Sequence, residues 1–318
     1  MQREQMNRRL AHAAEKGIMI MAHRGVCGAN ILDNTMESFE LALKQGADIL
    51  EADVFRSVDG ELFVFHDGTE PFMLGTNEKV VEMTSDQIRA LRLLNKNGMR
   101  IDHGIHTLDE VLEQLKGRCL INLDRCWWCW DSVFRTIKAH HMEDQIIFKS
   151  APEDRYLTQM EEEETPFMYM PIIWYPEELI KVIHRNINMV AVEFIGHSED
   201  AEIMQENYVR SLRKQGIHCM ISTLTLANPL YQWPEYEKRH KEKGSRVAIK
   251  DGNIYLAAGH DDDTSLLRSP EEGWGWLIRR GFDILQTDWT RELALYLKEK
   301  KQPERRKSEN ANRIIYPS

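Results

Sequence analysis

Two short strings hold the residue types that metal-assisted cleavage of a phosphodiester requires. They are His23-Arg24-Gly25, and Glu51-Ala52-Asp53 followed by His66-Asp67. Imidazoles exchange protons near neutral pH, which makes His23 and His66 the candidate acid–base pair. Carboxylates are hard oxygen donors, so Glu51 and Asp53 are candidate ligands for a divalent cation. The guanidinium of Arg24 presents a fixed fork of donors that fits phosphate oxygens.

These side chains need elements that aim them together. In Ile49-Leu50-Glu51-Ala52-Asp53-Val54 the two carboxylates are two residues apart, so on a strand they share a face. Leu62-Phe63-Val64-Phe65-His66 is also strand-like, and Asp59-Gly60 between the runs is a hairpin signal. A two-residue turn centred there sets Asp53 opposite His66; a crossover to a parallel strand is the alternative. Further on, short apolar runs alternate with helix signals. Thr35 caps a helix that stops at Gly46. Thr84 to Gln87 and Thr107 to Glu110 fit the capping box, and Pro176 and Ser269-Pro270 mark helix starts. Nine strand candidates result. Eight serve as staves of a (β/α)8 TIM-type barrel, and one forms the extra hairpin partner. No glycine-rich dinucleotide loop follows a strand, which disfavours an open sheet.

With that order established, the chain resembles the glycerophosphodiester phosphodiesterase family. The matching residues are Ala22-His23-Arg24-Gly25, Asp33-Asn34-Thr35-Met36-Glu37-Ser38-Phe39, Gly46 to Val54, Asp59-Gly60, His66-Asp67 and, near the other end, Gly281 to Asp288. The resemblance implies a two-histidine mechanism through a cyclic phosphate, with His23 and His66 exchanging roles. It implies Mg2+ or Ca2+ held by Glu51, Asp53 and Asp124. The products would be glycerol 3-phosphate and an alcohol, from a small-molecule glycerophosphodiester. Three positions depart from the family pattern. Asp124 and Asp33 each stand where glutamate is usual, and Cys126 replaces a phosphate-facing lysine. Lys149, ending the next strand, is the candidate replacement charge, and Glu193 is a candidate for a substrate hydroxyl or a cationic head group. Asp33 is read as a helix cap or a metal contact. Two other readings stay open: a sphingomyelinase D-like lyase that stops at the cyclic phosphate, and a barrel that binds a phosphate ligand without catalysis.

The chain has 318 residues, 42% of them hydrophobic, enough for one large domain. The reading is a single barrel domain over 1–301, an insertion at about 223–264, and a polar tail over 302–318. That insertion contains Tyr231, Trp233, Tyr236, the basic run Lys238–Lys243 and a hairpin signal at Asp251-Gly252, and is a candidate lid. The net charge of −10 argues against a nucleic-acid partner. No apolar run is long enough for a transmembrane segment, and Met1 to Lys16 lacks the core of a secretion signal. With five cysteines, an odd count, the expectation is a cytoplasmic protein with reduced thiols; the oligomeric state is open. Cys126-Trp127-Trp128-Cys129 lacks a second pair to make a zinc site. His260-Asp261-Asp262-Asp263 reads as a loop cap, because consecutive residues cannot all face one ion. Trp274 and Trp276 read as helix packing. His103, His106, His140, His141, His184, His197, His218 and His240 belong to no such constellation and read as surface or packing residues.

Overall fold

The structure, a computed structural model, describes residues 2–227, 249–250 and 253–301. Eight parallel strands form the barrel: β1 (Met19–Ala22), β2 (Ile49–Arg56), β4 (Leu120–Asp124), β5 (Ile146–Ser150), β6 (Met168–Ile173), β7 (Ala191–Phe194), β8 (His218–Ser222) and β12 (Ile284–Thr287). Each pairs with the next, and β1 pairs with both β2 and β12, which closes the ring. The remaining member of this sheet, β3 (Leu62–Val64), lies antiparallel on β2. This is the TIM-type barrel with an early hairpin that strand–helix alternation predicts.

Alternation along each strand sorts the interior from the exterior. Met19, Met21, Ile49, Leu120, Ile147, Met168, Ala191, Met220 and Ile284 fill the amino-terminal part of the barrel. The helix Gln2–Ala14 inserts Leu10 among them and closes that end. Two residues further along several of the same strands, the inward positions turn polar: Glu51, Asn122, Lys149, Glu193 and Gln286, all buried. Outward positions such as Leu50, Leu123, Phe148, Val192 and Leu285 pack under the helices in two larger clusters.

The hairpin is one residue off the expected register. Val54 pairs with Val64 and Arg56 with Leu62, and Ser57 N–H donates to Glu61 O. The loop is therefore the three residues Val58 to Gly60, closed by Gly60 at φ 102°. Asp53 O consequently accepts from Phe65 N–H, not opposite His66, and His66 lies just past the strand. From there to Thr107 the chain builds a satellite core in which Phe55, Phe63, Phe65, Leu74, Val80, Ile88, Leu93 and Ile105 are buried.

Of the other local expectations, Thr35, Thr84 and Thr107 each close a capping box. Ser269-Pro270 opens a turn instead, and the helix begins at Trp274. Within the expected insertion, β9 (Thr225–Ala227), β10 (Ile249–Lys250) and β11 (Asn253–Tyr255) form a small antiparallel sheet, with β10 and β11 flanking the Asp251-Gly252 signal. Tyr231, Trp233, Tyr236, Lys238–Lys243 and the 302–318 tail lie outside the described residues. Among the described residues no helix is long and apolar enough to cross a membrane.

Candidate active site

After β1 the chain turns back through two left-handed residues, Arg24 at φ 55° and Gly25 at φ 85°. A side chain at position 25 is excluded by packing as well, because its Cβ would fall 2.4 Å from Ser38 Oγ and 2.6 Å from the Ser38 carbonyl carbon. Ser38 Oγ donates to Arg24 O, and Asn34 N–H donates to the same carbonyl. Asn34, itself at φ 59°, then clamps Asp53: its Nδ2 donates to Oδ2 at 2.9 Å, and its Oδ1 accepts from Asp53 N–H at 3.1 Å. Arg24 N–H donates to Glu51 Oε2 at 3.0 Å, and Arg24 Nε lies 2.9 Å from Asp53 Oδ2. Arg24 therefore joins the carboxylates rather than standing clear of them.

Strand register assembles the acidic cluster. Asp53 and Asp124 are direct partners on the parallel strands β2 and β4, and Glu51 is two residues before Asp53 on the same face. One oxygen from each of the three lies within 4.8 Å of the others. Asp53 Oδ1 is buried without a hydrogen-bond partner among the described residues. An orphaned carboxylate oxygen among three carboxylates is a donor set that fits a hard divalent cation. Electrostatics agree. Burial, with Asp53 as a like charge, pushes the Glu51 carboxyl up to about 8, against the pull of Lys149 and His23. Burial also disfavours the Asp53 carboxylate, but Arg24, His66 and the Asn34 hydrogen bond outweigh it and hold its pKa well below the usual range.

Lys149 is inside this network, not at the rim. Its Nζ is 2.8 Å from Asp124 Oδ2 and 3.3 Å from Glu193 Oε2, with its side chain only 3% exposed. Burial opposes its charge, yet Asp124, Glu193 and Glu51 raise its pKa further. Burial raises the Glu193 carboxyl, with Lys149 pulling against it.

The two histidines sit in different electrostatic surroundings. His23 Nδ1 lies 2.9 Å from Oδ1 of Asp288, the residue after β12. Burial and Arg24 lower the imidazole pKa, but the Asp288 carboxylate, as charge and as hydrogen-bond partner, with Glu51, outweighs them and leaves it above the ordinary value. His66 is buried, and its carbonyl accepts from Thr69 N–H and Oγ1–H. Burial first, then Arg24 and Arg125, bring its pKa down to about 4 despite Asp53. Environments that push two imidazoles apart suit them to different protonation roles.

Four supporting residues have partners that the sequence did not assign to them. Arg125, at φ 58°, follows Asp124 and sets its Nε 2.6 Å from Asp67 Oδ1. It supplies a cation where Cys126, fully buried in the core, does not. The signal was an arginine directly after a strand-end carboxylate. Asn34 and Asp288 lay within quoted motifs, but nothing in the pattern named their targets. Asp262 is buried and accepts from Thr223 Oγ1, Thr287 Oγ1, Trp274 Nε1 and Asp288 N–H. Its neighbour Asp261 caps the helix Asp262–Leu267, which bears out the cap reading of that run. Asp33 caps nothing, since Thr35 is the N-cap, and it lies outside the acidic cluster beside Cys27. Trp274 is core and Trp276 stacks on His260.

Known proteins share this layout. Residues 23–125 match the Glycerophosphoryl diester phosphodiesterase family, and residues 169–297 match a domain of unknown function. A glycerophosphodiester phosphodiesterase of Bacillus altitudinis is 31% identical over 194 residues, covering 54% of this chain and 77% of that protein. The chain belongs to the glycerophosphodiester phosphodiesterase family. A family member from Caldanaerobacter subterraneus is 29% identical over 140 residues, 42% of this chain, and the match spans little more than half, 57%, of that relative's length. The barrel is shared with a glycerophosphoryl diester phosphodiesterase from Parabacteroides distasonis, at a TM-score of 0.71, 19% identity and coverage of 94% of this chain and 93% of that one. It is shared also with an Oleispira antarctica phosphodiesterase in complex with the product sn-glycerol-3-phosphate, at a TM-score of 0.60, 16% identity and coverage of 90% and 99%.

Proposed function

We propose that this protein hydrolyses glycerophosphodiesters to glycerol 3-phosphate and an alcohol. The observation that carries the reading is the convergence, at the carboxyl ends of adjacent strands, of three carboxylates with two oppositely tuned imidazoles. Family membership and the glycerol phosphate bound to the Oleispira relative point the same way.

A divalent cation, Mg2+ or Ca2+, held by Glu51, Asp53 and Asp124 would polarise the phosphoryl group. His66, neutral above about pH 4, takes the proton of the attacking glycerol hydroxyl. His23, kept cationic by Asp288, donates to the leaving alcohol. The cyclic phosphate so formed opens with water as the two imidazoles exchange roles. Arg24 and Arg125 meet charge on the phosphoryl oxygens, and Lys149 balances Asp124 and Glu193 beneath them. The barrel domain over 1–301 carries all of these groups.

The test is product analysis on glycerophosphocholine, glycerophosphoethanolamine and glycerophosphoinositol, with and without chelator. Glycerol 3-phosphate formed in Mg2+ or Ca2+ and lost in chelator is expected. Accumulated cyclic phosphate would replace the hydrolase reading with a lyase, and no product from any substrate would leave a binding barrel.

A further inference from the structure

A second group of metal-type ligands lies outside the acidic cluster. Glu37, His103 and His106 each bring one ligand atom to within 4.8 Å of the other two. Glu37 sits in the first turn of the helix Met36–Gln45, and the histidines sit on the segment leading into the helix Leu108–Leu115. Sequence reading leaves both imidazoles as packing or surface residues. Their hydrogen bonds say otherwise.

His103 Nδ1 is 2.9 Å from the Gly104 carbonyl, and its Nε2 is 2.8 Å from Glu37 Oε2. A carbonyl accepts only, so Nδ1 carries the hydrogen. In the neutral ring the Nε2 lone pair then faces a carboxylate oxygen, and two lone pairs need a cation between them, either a proton or a metal ion. A metal-binding histidine usually donates its other ring N–H to a backbone carbonyl or a carboxylate, as His103 Nδ1 does here. His106 stands edge-on to His103, ring centroids 5.0 Å apart, and its Nε2 is buried with no hydrogen-bond partner among the described residues. Its Nδ1 lies 3.7 Å from Glu110 Oε2, an oriented carboxylate that also accepts from Thr107 N–H. Burial, and then His103 as a neighbouring charge, lower the His106 pKa.

We propose that Glu37, His103 and His106 form a second metal site, which binds Zn2+ through one carboxylate oxygen and two imidazole nitrogens, with water completing the shell. The two sites differ in chemistry. Three buried carboxylates suit a hard cation, whereas two imidazoles with one carboxylate suit a borderline one. The position gives the ion a mechanical role. Glu37 is three residues after Asn34, which clamps Asp53, and the His106 carbonyl accepts from Val64 N–H, two residues before His66. A bound ion would tie the helix Met36–Gln45 to the segment that leads into the helix Leu108–Leu115.

The experiment reads binding rather than turnover, so it stands or falls apart from the proposed reaction. One sample of the full chain is dialysed against Zn2+ in excess Mg2+ and Ca2+, and a separate metal-free sample is titrated with Co2+ while its visible d–d bands are followed. One equivalent of Zn2+ and the intense bands of four-coordinate Co2+ are expected, both retained in Asp53→Asn/Asp124→Asn. His103→Gln, His106→Gln and Glu37→Gln should each weaken Zn2+ binding at least ~tenfold, and the rise in Tm on adding Zn2+ should disappear. The glutamine variants keep side-chain bulk, and circular dichroism confirms that they fold. No stoichiometric Zn2+ in the wild type overturns the proposal. So does binding that survives both histidine changes but is lost in Asp53→Asn/Asp124→Asn, which would put the zinc on the acidic cluster.

Discussion

The two arcs of the barrel divide the work unequally. The arc from β1 to β4 carries His23, Arg24, Glu51, Asp53, His66 and Asp124, all within the stretch matched by the phosphodiesterase family. The arc from β7 to β12, matched by the domain of unknown function, brings Glu193, Asp262 and Asp288, none of them in the three-carboxylate cluster. Instead they set charge and aim: Glu193 pairs with Lys149, Asp288 fixes His23, and Asp262 fixes Asp288. The proposed reacting groups all lie on one arc, with the Asn34 clamp beside them, and the other arc contributes only groups that orient or balance them. Reacting groups need adjacent strands in register, which ties them to short local motifs. An orienting carboxylate needs only to reach a donor, so it can come from any loop at that height.

This contrast orders the expected effects of substitution. His23→Ala and His66→Ala should each lose about 10²- to 10⁴-fold in kcat with the fold intact, since each removes a proton-transfer group. Steady-state rates on glycerophosphocholine, alongside circular dichroism, check this. Near-native kcat in either variant would end the two-histidine mechanism and the contrast between arcs with it.

The same asymmetry explains what was legible in the sequence. Period-two alternation in Ile49 to Val54 and capping boxes at Thr35, Thr84 and Thr107 are local signals, and the structure keeps them all. The nine strands follow because each is a short apolar run between turns. Hairpin register failed by one residue, because Asp59-Gly60 suits either a two-residue or a three-residue loop. The choice fell to long-range partners: Asp59 Oδ1 accepts from Ser85 N–H and its Oδ2 from Ser85 Oγ. Arg125 was hidden because its usefulness depends on a left-handed φ at a strand end. Asp262 was hidden because its partners lie 12 to 39 residues away in sequence.

Lys149 sits between the arcs and tests where the boundary falls. Lys149→Met should lower kcat/KM roughly ten- to a thousandfold, the scale of losing one charged donor near a developing oxyanion. It also strands Glu193 and Asp124, and breaking a buried pair costs about 3–5 kcal/mol. Lys149→Met/Glu193→Gln separates the two effects. Recovery of Tm without recovery of rate places Lys149 with the reacting groups; recovery of both makes it a counter-ion for the supporting arc.

Asp288→Asn should cost about tenfold in kcat and move a pH limb. The carboxylate favours the imidazolium of His23, so its pKa lies above the ordinary value. Deprotonation of His23 removes the proton donor and defines the alkaline limb of the kcat/KM profile. Removing the negative charge lowers the His23 pKa, so that limb should shift to lower pH, while the acid limb, set by His66, stays in place. A limb that does not move would mean that Asp288 orients the ring without tuning it.

The smallest effect is expected at Asp262, two steps from the chemistry. It is buried, and burial pushes its carboxyl up to about 7 against the pull of its hydrogen bonds. Every one of its partners donates: the hydroxyls of Thr223 and Thr287, the Trp274 indole and the Asp288 backbone N–H. Asp262→Asn keeps one acceptor oxygen but turns an amide N–H₂ toward a donor. Hydroxyls can rotate to accept, whereas the Asp288 N–H at 3.1 Å cannot. One unsatisfied buried donor costs about 1–3 kcal/mol of stability, a fall in Tm of a few degrees. If Asp262 positions the Asp288–His23 pair, kcat should drop by about threefold, and the alkaline limb should follow Asp288→Asn in direction with a smaller shift. A lower Tm with both kcat and the limb unchanged would confine Asp262 to holding the ends of β8 and β12 together, and the orienting chain would begin at Asp288.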